Sequence, residues 1–463
     1  MVTLAVSNGE NPSSRKKARI EERGHELFEE VIPNLLSLYL SDLGGHILSY
    51  ASASDLCTLD TLNKQFCSLT TNVWTNITRE RFGLKNGKDG WRLGTSFLRK
   101  PVYIHIDTNE QYGNLYYPGA PQISTNDTLI AVDTDERDEY EVSIHGTGLF
   151  DATDLSFLGP RRGGGWETTL AGPAENQVFV STTPRFIDAS RGETTRQIIS
   201  HNGAARVIAT EAYVIVVVKA NVHLYEIVHN DNVIELRDSK QMQRNIEDSR
   251  YYRRNAVTFG ADQSEFIVCS SIRSIFGNDF HTSIISIFHL DSEDHSISQT
   301  QTFETDMKLN DVIMNEDFIA GSCDLKKIHV WDRHTKQKTQ SSLCDVKEED
   351  QLDSGIIYCP LHMSCHGNIL VTTSHIGACI CIWNMKDGKL LARHNEADEE
   401  RWTDLLPDGV DATSMAYSKP LNCYICTCGT FNVWSFPMDE QQMTDAMMIR
   451  EREDEVRRRY YSD

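Results

Sequence analysis

The sequence predicts a mainly β protein built from repeats of about 48 residues, preceded by a small all-α unit. Between residues 101 and 437 the chain consists of short β-branched and aromatic runs, such as VYIHI at 102–106, separated by Gly, Asn, Asp and Ser. Within this zone Trp331, Trp383 and Trp434 recur at spacings of 52 and 51 residues. Residues 26–99 instead carry apolar side chains at helical spacing. These three observations define the fold class.

Composition narrows the classes of partner. The chain has 463 residues, with 45 Lys and Arg against 67 Asp and Glu, and a formal net charge of −22. Such acidity argues against nucleic acids and anionic membranes as partners, because both repel it. The longest apolar runs, such as AYVIVVV at 212–218, are far shorter than the roughly 20 residues that span a bilayer. A hydrophobic content of 40% is enough for a sizeable core.

The ends of the chain are polar. Residues 1–25 are predicted to be a disordered polar and basic tail without a secretory signal. The basic cluster at 15–19 is typical of a nuclear-import signal, so we expect a cytoplasmic or nuclear protein, or one in both compartments. Twelve cysteines fit free thiols in a reducing compartment. Residues 438–463 form a charged C-terminal tail, which we expect to be a solvated helix or a frayed end.

Residues 26–99 are predicted to form a helical domain and a linker. Ser41 and Asp42 can cap a first helix, and Ser54 and Asp55 can cap a second. The apolar positions of the second helix repeat every three or four residues, at Leu56, Leu59, Leu62, Phe66 and Leu69. Helices this short bury little surface by themselves. The unit therefore needs something to pack against.

The stretch LYLSDLGGHILSYASASDLCTLDTLNKQFCSLTTNVWTNI at 38–77 resembles an F-box. It has the leading Leu, the I-L-x-Y run, the D-L-x-x-L of the second helix and the terminal Trp of that family. It departs from the pattern at Ser41, where the family usually has Pro, and at Gly44 and Gly45 in the first helix. The alternative interpretation of this stretch is a helical bundle that only caps the β domain.

The repeats of the strand zone resemble WD repeats. FIAGSCDLKKIHVWDRHTKQK at 318–338 aligns with 369–389 and with 424–436, and fainter copies contain Tyr225 and Phe288 in place of Trp. Each unit is expected to be a small antiparallel sheet buried between its neighbours. The resemblance implies a WD-type β-propeller of about seven blades over residues 100–437, with breaks near 150, 198, 248, 303, 345 and 400. The run at 102–106 can supply the strand that the last unit lacks, which would close the ring.

The order of the two units resembles the F-box/WD-repeat family, whose members are substrate receptors of cullin-based ubiquitin ligases. The resemblance implies a Skp-family adaptor and a cullin as partners, and a protein substrate, phosphorylated or not, on the propeller. It assigns adaptor binding to an apolar face made by Leu40, Leu43, Ile47, Leu48, Leu56, Leu59 and Trp74. The alternative is a WD-repeat interaction scaffold outside any ligase, in the nucleus or elsewhere.

Arginine pairs on loops are the candidate substrate-binding residues, because guanidinium groups can grip an acidic or phosphorylated peptide. They are Arg161 with Arg162 and Arg253 with Arg254. The alternative interpretation is that these arginines are exposed to solvent and bind no partner. Cys359, His362, Cys365 and His366 have a metal-like spacing but lack a second pair, so we expect no metal. With no recognisable catalytic motif, we expect no catalytic residue and no cofactor, and the chain is predicted not to be an enzyme.

Overall fold

The computed structural model describes residues 93–94, 96–97, 99–106, 115–116, 123–137, 143–162, 167–183, 185–201, 205–230, 233–242, 252–260, 263–273, 281–323, 327–343, 363–373, 379–395, 414–427 and 431–460. From residue 96 onward these belong to one compact unit. The F-box-like stretch 38–77 lies outside the described residues. Across the described ranges, no helix is both long and apolar enough to cross a bilayer.

The described strands pair into seven antiparallel sheets, which are the blades of a β-propeller. A first strand, β1 (Val102–Ile106), precedes blade 1 in the chain. Blades 1 to 3 then follow, and in blade 1 both β2 and β3 pair with β4. Their strands are β2 (Leu115–Tyr116), β3 (Ile123–Thr125), β4 (Leu129–Arg137), β5 (Ser143–Asp151) and β6 (Phe157–Arg162); β7 (Glu167–Ala171), β8 (Val178–Thr182), β9 (Phe186–Arg191) and β10 (Thr194–Ser200); and β11 (Ala205–Ala209), β12 (Tyr213–Val218), β13 (Asn221–Ile227) and β14 (Ile234–Gln241).

Blades 4 to 7 repeat the same meander. Their strands are β15 (Tyr252–Phe259), β16 (Glu265–Arg273), β17 (His281–Asp291) and β18 (Ser296–Thr305); β19 (Leu309–Met314), β20 (Phe318–Cys323), β21 (Lys327–Asp332) and β22 (Lys338–Leu343); β23 (Met363–His366), β24 (Ile369–Thr373), β25 (Cys379–Asn384) and β26 (Lys389–Asn395); and β27 (Ser414–Ser418), β28 (Cys423–Thr427) and β29 (Phe431–Ser435). The fourth strand of blade 7 is β1, which pairs antiparallel with β29. The predicted closure of the ring by residues 102–106 is confirmed.

The first strand of each blade, strand A, lines the centre of the ring. Strands β3, β7, β11, β15, β19, β23 and β27 contact one another in that order, and β27 contacts β3. Strands B, C and D follow outward. Antiparallel pairing puts all A–B and C–D turns at one end of the ring, the A–B face, and all B–C and D–A connections at the other end, the D–A face.

The aromatic residues of the repeats occupy one equivalent position, on strand C opposite the second residue of strand B. In blades 3 to 7 they are Tyr225, Phe288, Trp331, Trp383 and Trp434. Phe150 has this position in blade 1, whereas blade 2 has Ser190. The sequence alignment of the repeats is therefore confirmed, including its two fainter copies.

Close packing at this position explains the glycine of the WD-like motif. A Cβ built on Gly321 would lie 3.0 Å from Cδ1 of Leu309 and 3.2 Å from Cζ3 of Trp331. Contacts that short are repulsive, so only glycine fits beneath the indole without a shift. In the next blade the Trp383 indole donates to Oγ1 of Thr372 at 3.0 Å, which gives the buried N–H its acceptor.

Hydrophobic clusters between neighbouring blades form the core. Ile215 and Leu224 of blade 3 pack with Phe266 and Phe288 of blade 4, and all four are fully buried. The two phenylalanine rings are stacked, with centroids 5.1 Å apart. Each such side chain contributes about 1.5–3 kcal/mol through its removal from water. Because both sides of each blade are covered in this way, the ring is the unit of stability.

The last element is a helix, α1 (Glu440–Tyr460), which lies against β1. Ala446 and Ile449 are buried in the cluster that joins blades 7 and 1. Arg452 donates to the carbonyl oxygen of Asp154 in a C–D turn of blade 1 at 2.9 Å. The expected solvated tail is thus a docked helix with one solvated side. The charged sequence of the helix did not predict this docking, because only two of its apolar side chains, Ala446 and Ile449, are buried.

Candidate interaction surfaces

The predicted adaptor-binding face lies outside the described residues. Its seven side chains are all in the first 92 residues, for which the structure describes no element. The prediction for Leu40, Leu43, Ile47, Leu48, Leu56, Leu59 and Trp74 therefore stays a prediction. The chain after it enters the propeller through Ser96 and Phe97, which are buried. Both residues lie inside the range 26–99 that is predicted for the helical domain and its linker.

Arg161 lies on β6, and its guanidinium faces blade 2. Its Cζ is 3.7 Å from the centroid of the Phe179 ring, and Nη2 donates to Oγ of Ser190. Ser190 is the residue that replaces the aromatic side chain of the other blades, so the guanidinium fills the seam there. Burial lowers the pKa of Arg161, although an arginine remains charged at neutral pH. Binding of a substrate by Arg161 would have to compete with this packing.

The other three candidate arginines all lie toward the D–A face. Arg162 is the last residue of β6, the outer strand of blade 1. Arg254 pairs in register with Ser271 near the start of β15, and Arg253 falls at the adjacent register shift. Because β15 is an inner strand, this second pair lies beside the central channel. The structure therefore brings the two pairs to one face but not to one site.

An ion pair at the D–A end of the channel was not predicted from the sequence. Arg206 on β11 contacts Glu167 on β7 through Nη1 and Oε1. Both side chains are partly exposed, at 27% and 22%. With Arg254 on the next inner strand, three consecutive inner strands carry charged residues near their first positions. Only the strand pairing reveals this arrangement, because the repeats of blades 2 and 3 lack the tryptophan signal that sets the register.

Every cysteine whose side chain the structure describes is a buried free thiol. Cys379 and Cys381 are buried on one side of β25, with their Sγ atoms 3.7 Å apart. Burial raises the pKa of Cys269 to about 12, so this thiol is uncharged at neutral pH and is a poor nucleophile. Among the described residues, no group of three or more His, Cys, Asp or Glu side chains could hold a metal ion. Cys359 and His362 lie outside those residues.

Two partly buried histidines make the propeller sensitive to moderate acid. Burial lowers the pKa of His394, although the contact of its Nε2 with the carbonyl oxygen of Phe97 at 3.0 Å opposes this shift. Burial also lowers the pKa of His223. The folded protein therefore keeps both imidazoles neutral below the usual histidine pKa of about 6.5, where the unfolded chain takes up protons. Folding stability falls as the pH drops below that value.

We expect the His223→Gln/His394→Gln double variant to lose less thermal stability than the wild type between pH 7.5 and 5.5. Thermal unfolding of both proteins at both pH values measures this difference. Changes in the overall acidic repulsion are common to both proteins and cancel in the comparison. Equal pH dependence of the two proteins would contradict the assignment. Protonation of the turn carboxylates Asp291 and Asp332 does not contribute between these two pH values. Backbone hydrogen bonds lower their pKa values, so they change the folding stability only near pH 4 and below.

No family model and no curated protein matches this chain. Among solved structures, it is similar to the computationally designed protein Ika8, with 12% identity, 73% of this chain and 100% of that chain covered, and a TM-score of 0.40. It is also similar to the β-propeller domain of Cps50 (Swd1) of Myceliophteria thermophila, with 9% identity, 72% and 99% coverage, and a TM-score of 0.42. The fold assignment itself rests on the strand pairing described above.

Proposed function

We propose that this chain is the substrate-recognition adaptor of an SCF-type ubiquitin ligase. The observation that carries the proposal is the order of two features, an F-box-like stretch at 38–77 followed by a closed seven-bladed propeller. In this proposal the F-box face binds a Skp-family adaptor that is attached to a cullin. The propeller binds a protein substrate, phosphorylated or not. We place the protein in the cytoplasm, the nucleus or both, with the basic cluster at 15–19 as an import signal.

The chain acts by positioning in this scheme. It supplies no catalytic residue and needs no cofactor, because a recruited conjugating enzyme carries the activated ubiquitin. Holding the substrate beside that enzyme raises the effective concentration of its lysines. A rigid ring suits this task better than a flexible tether, since a fixed binding surface limits the entropy lost on assembly.

The D–A face is the side that we assign to the substrate. It carries the longer connections of the ring, and binding residues concentrate on loops that a rigid scaffold supports. Arg253 and Arg254 follow Tyr252, the first residue of the inner strand β15, which contacts the strand β11 that carries Arg206. Arginine is the residue type that best pairs with a carboxylate or phosphate of a substrate peptide.

Affinity purification tests the ligase assignment. We expect the variant Leu43→Asp/Ile47→Asp/Leu48→Asp to retain at least about tenfold less Skp-family adaptor and cullin than the wild type, because charges in an apolar docking face are left buried and unpaired. The matched control is Leu158→Asp/Leu236→Asp/Leu390→Asp, three exposed leucines on outer strands. This control is expected to retain both partners.

The propeller of each variant is checked by thermal unfolding, so that a folding defect is not mistaken for a docking defect. Equal retention of adaptor and cullin by the wild type and the F-box variant would show that the ligase assignment is wrong. The same holds if the wild type retains neither partner. A scaffold outside any ligase, in which residues 26–99 only brace the propeller, would then be the better interpretation.

A further inference from the structure

The helix α1 is a rigid platform rather than a tail. Its first turn is capped by Asp439, whose Oδ1 accepts from the backbone N–H of Gln442 at 2.9 Å. Gln442 also donates from Nε2 to the carbonyl oxygen of Pro420 on blade 7. Together with the buried Ala446 and Ile449, these contacts hold the helix against the propeller. Its outer side is therefore presented in a fixed orientation.

Three methionines occupy the outer side of this helix. Met443 and Met447 are each 38% exposed, and Met448 is 56% exposed. Met443 and Met447 are four residues apart and so are neighbours on the helix surface. Met443 borders the buried stripe at Ala446, and Met448, one residue after Met447, lies about 100° further round the helix. The helix thus has a second apolar side that the described part of the propeller leaves exposed.

Acidic residues surround the methionines. Asp439, Glu440, Asp445 and Glu451 are the carboxylates of this part of the helix. The two basic residues beside them, Arg450 and Arg452, are paired with Asp454 at 3.6 Å and with Glu453 at 2.9 Å. An apolar patch with an acidic rim repels anionic membranes and nucleic acids. It complements a partner that combines apolar and basic side chains.

We propose that the outer side of α1 is a docking site for a basic amphipathic helix of another protein. Methionine side chains are unbranched and polarizable, so they adapt to the apolar stripe of different helices. The carboxylates of the rim would meet lysines or arginines beside that stripe. The site lies near the A–B turn of blade 7 and the C–D turn of blade 1, on the A–B face. It is therefore separate from the D–A face assigned to the substrate, and it does not depend on the ligase assignment.

Binding of a synthetic peptide to the full chain tests this site. The probe is a helix-forming peptide with leucines at helical spacing and lysines beside them, labelled for fluorescence anisotropy. A peptide of the same composition in scrambled order, with no apolar stripe, is the control probe. We expect the amphipathic peptide to bind and the scrambled one to bind at least about tenfold more weakly, because apolar anchors dominate such interfaces.

The variant Met443→Ser/Met447→Ser/Met448→Ser locates the site. We expect it to bind the amphipathic peptide at least about tenfold more weakly than the wild type while the melting temperature is unchanged, because exposed side chains contribute little to folding. The control Leu236→Ser/Leu390→Ser removes exposed leucines of blades 3 and 6 and is expected to bind normally. The proposal is overturned if the wild type does not bind, if both peptides bind equally, or if the two variants behave alike.

Discussion

Replacing Ile104 by aspartate is expected to open the ring and to lower the free energy of unfolding by more than about 4 kcal/mol, because it buries an unpaired charge. Ile104 is 1% exposed and lies in the middle of β1, opposite Val433 of β29. The pairing of these two strands is the one place in blade 7 where the chain is not continuous from strand C to strand D. Loss of β1 would expose the edge of β29 and remove the surface on which α1 packs.

Urea unfolding followed by tryptophan fluorescence measures this effect. Ile104→Val is a milder substitution at the same position, and we expect it to lower the free energy of unfolding by about 0.5–1.5 kcal/mol. This variant keeps the prediction testable if the aspartate variant is insoluble. Lys100→Asp places the same charge at an exposed position shortly before β1, and we expect a change within about 0.5 kcal/mol. A wild-type urea midpoint for Ile104→Asp would contradict the closure by β1.

Replacing Phe97 by alanine is the second change with a large expected effect, a loss of about 3–5 kcal/mol. Its ring is fully buried and packs edge-on against Phe436, with centroids 5.2 Å apart, and also contacts Tyr424. The carbonyl oxygen of Phe97 is close to Nε2 of His394 on blade 6. This residue therefore holds the incoming chain to the last two blades.

Two further variants show whether the loss of stability comes from the buried volume of the Phe97 ring or would follow from shortening any side chain. Phe97→Leu keeps most of the buried volume and is expected to lose only about 1–2 kcal/mol. Leu158→Ala shortens an exposed side chain, and we expect almost no change. Equal stability of Phe97→Ala and the wild type would mean that residues before β1 do not belong to the propeller.

The C-terminal blades could be predicted because the residues that pack against one another within each blade lie close together in the sequence. A tryptophan at the end of strand C and a glycine beneath it, as at Trp331 and Gly321, are required by contacts within one blade and its neighbour. The closing strand was also visible, because the last unit lacked a strand and VYIHI had no partner of its own. Five of the six predicted breaks fall within a few residues of the D–A connections.

Blade 1 shows where this reasoning failed. Its predicted end near residue 150 lies inside β5, whereas the connection to blade 2 is at 163–166. The predicted break counts the first repeat from residue 101, but β1 belongs to blade 7, and the inner strand of blade 1, β3, begins only at Ile123. Blade 2 has Ser190 in place of the signature aromatic residue, and Arg161 from the neighbouring blade fills that space. A repeat pattern cannot reveal a position that is completed by another blade.

The sequence by itself determined the mainly β class, the repeat unit, the approximate blade number and the acidic character of the chain. Each of these depends on residue type and spacing along the chain, and local alternation of apolar and polar residues is set by strand geometry. Only the tertiary structure decided that Arg161 packs in a seam, that Arg206 meets Glu167 beside the channel, and that α1 is docked with its methionines outward. These arrangements join residues that are distant in sequence, and no local pattern encodes which surfaces the closure of the ring brings together.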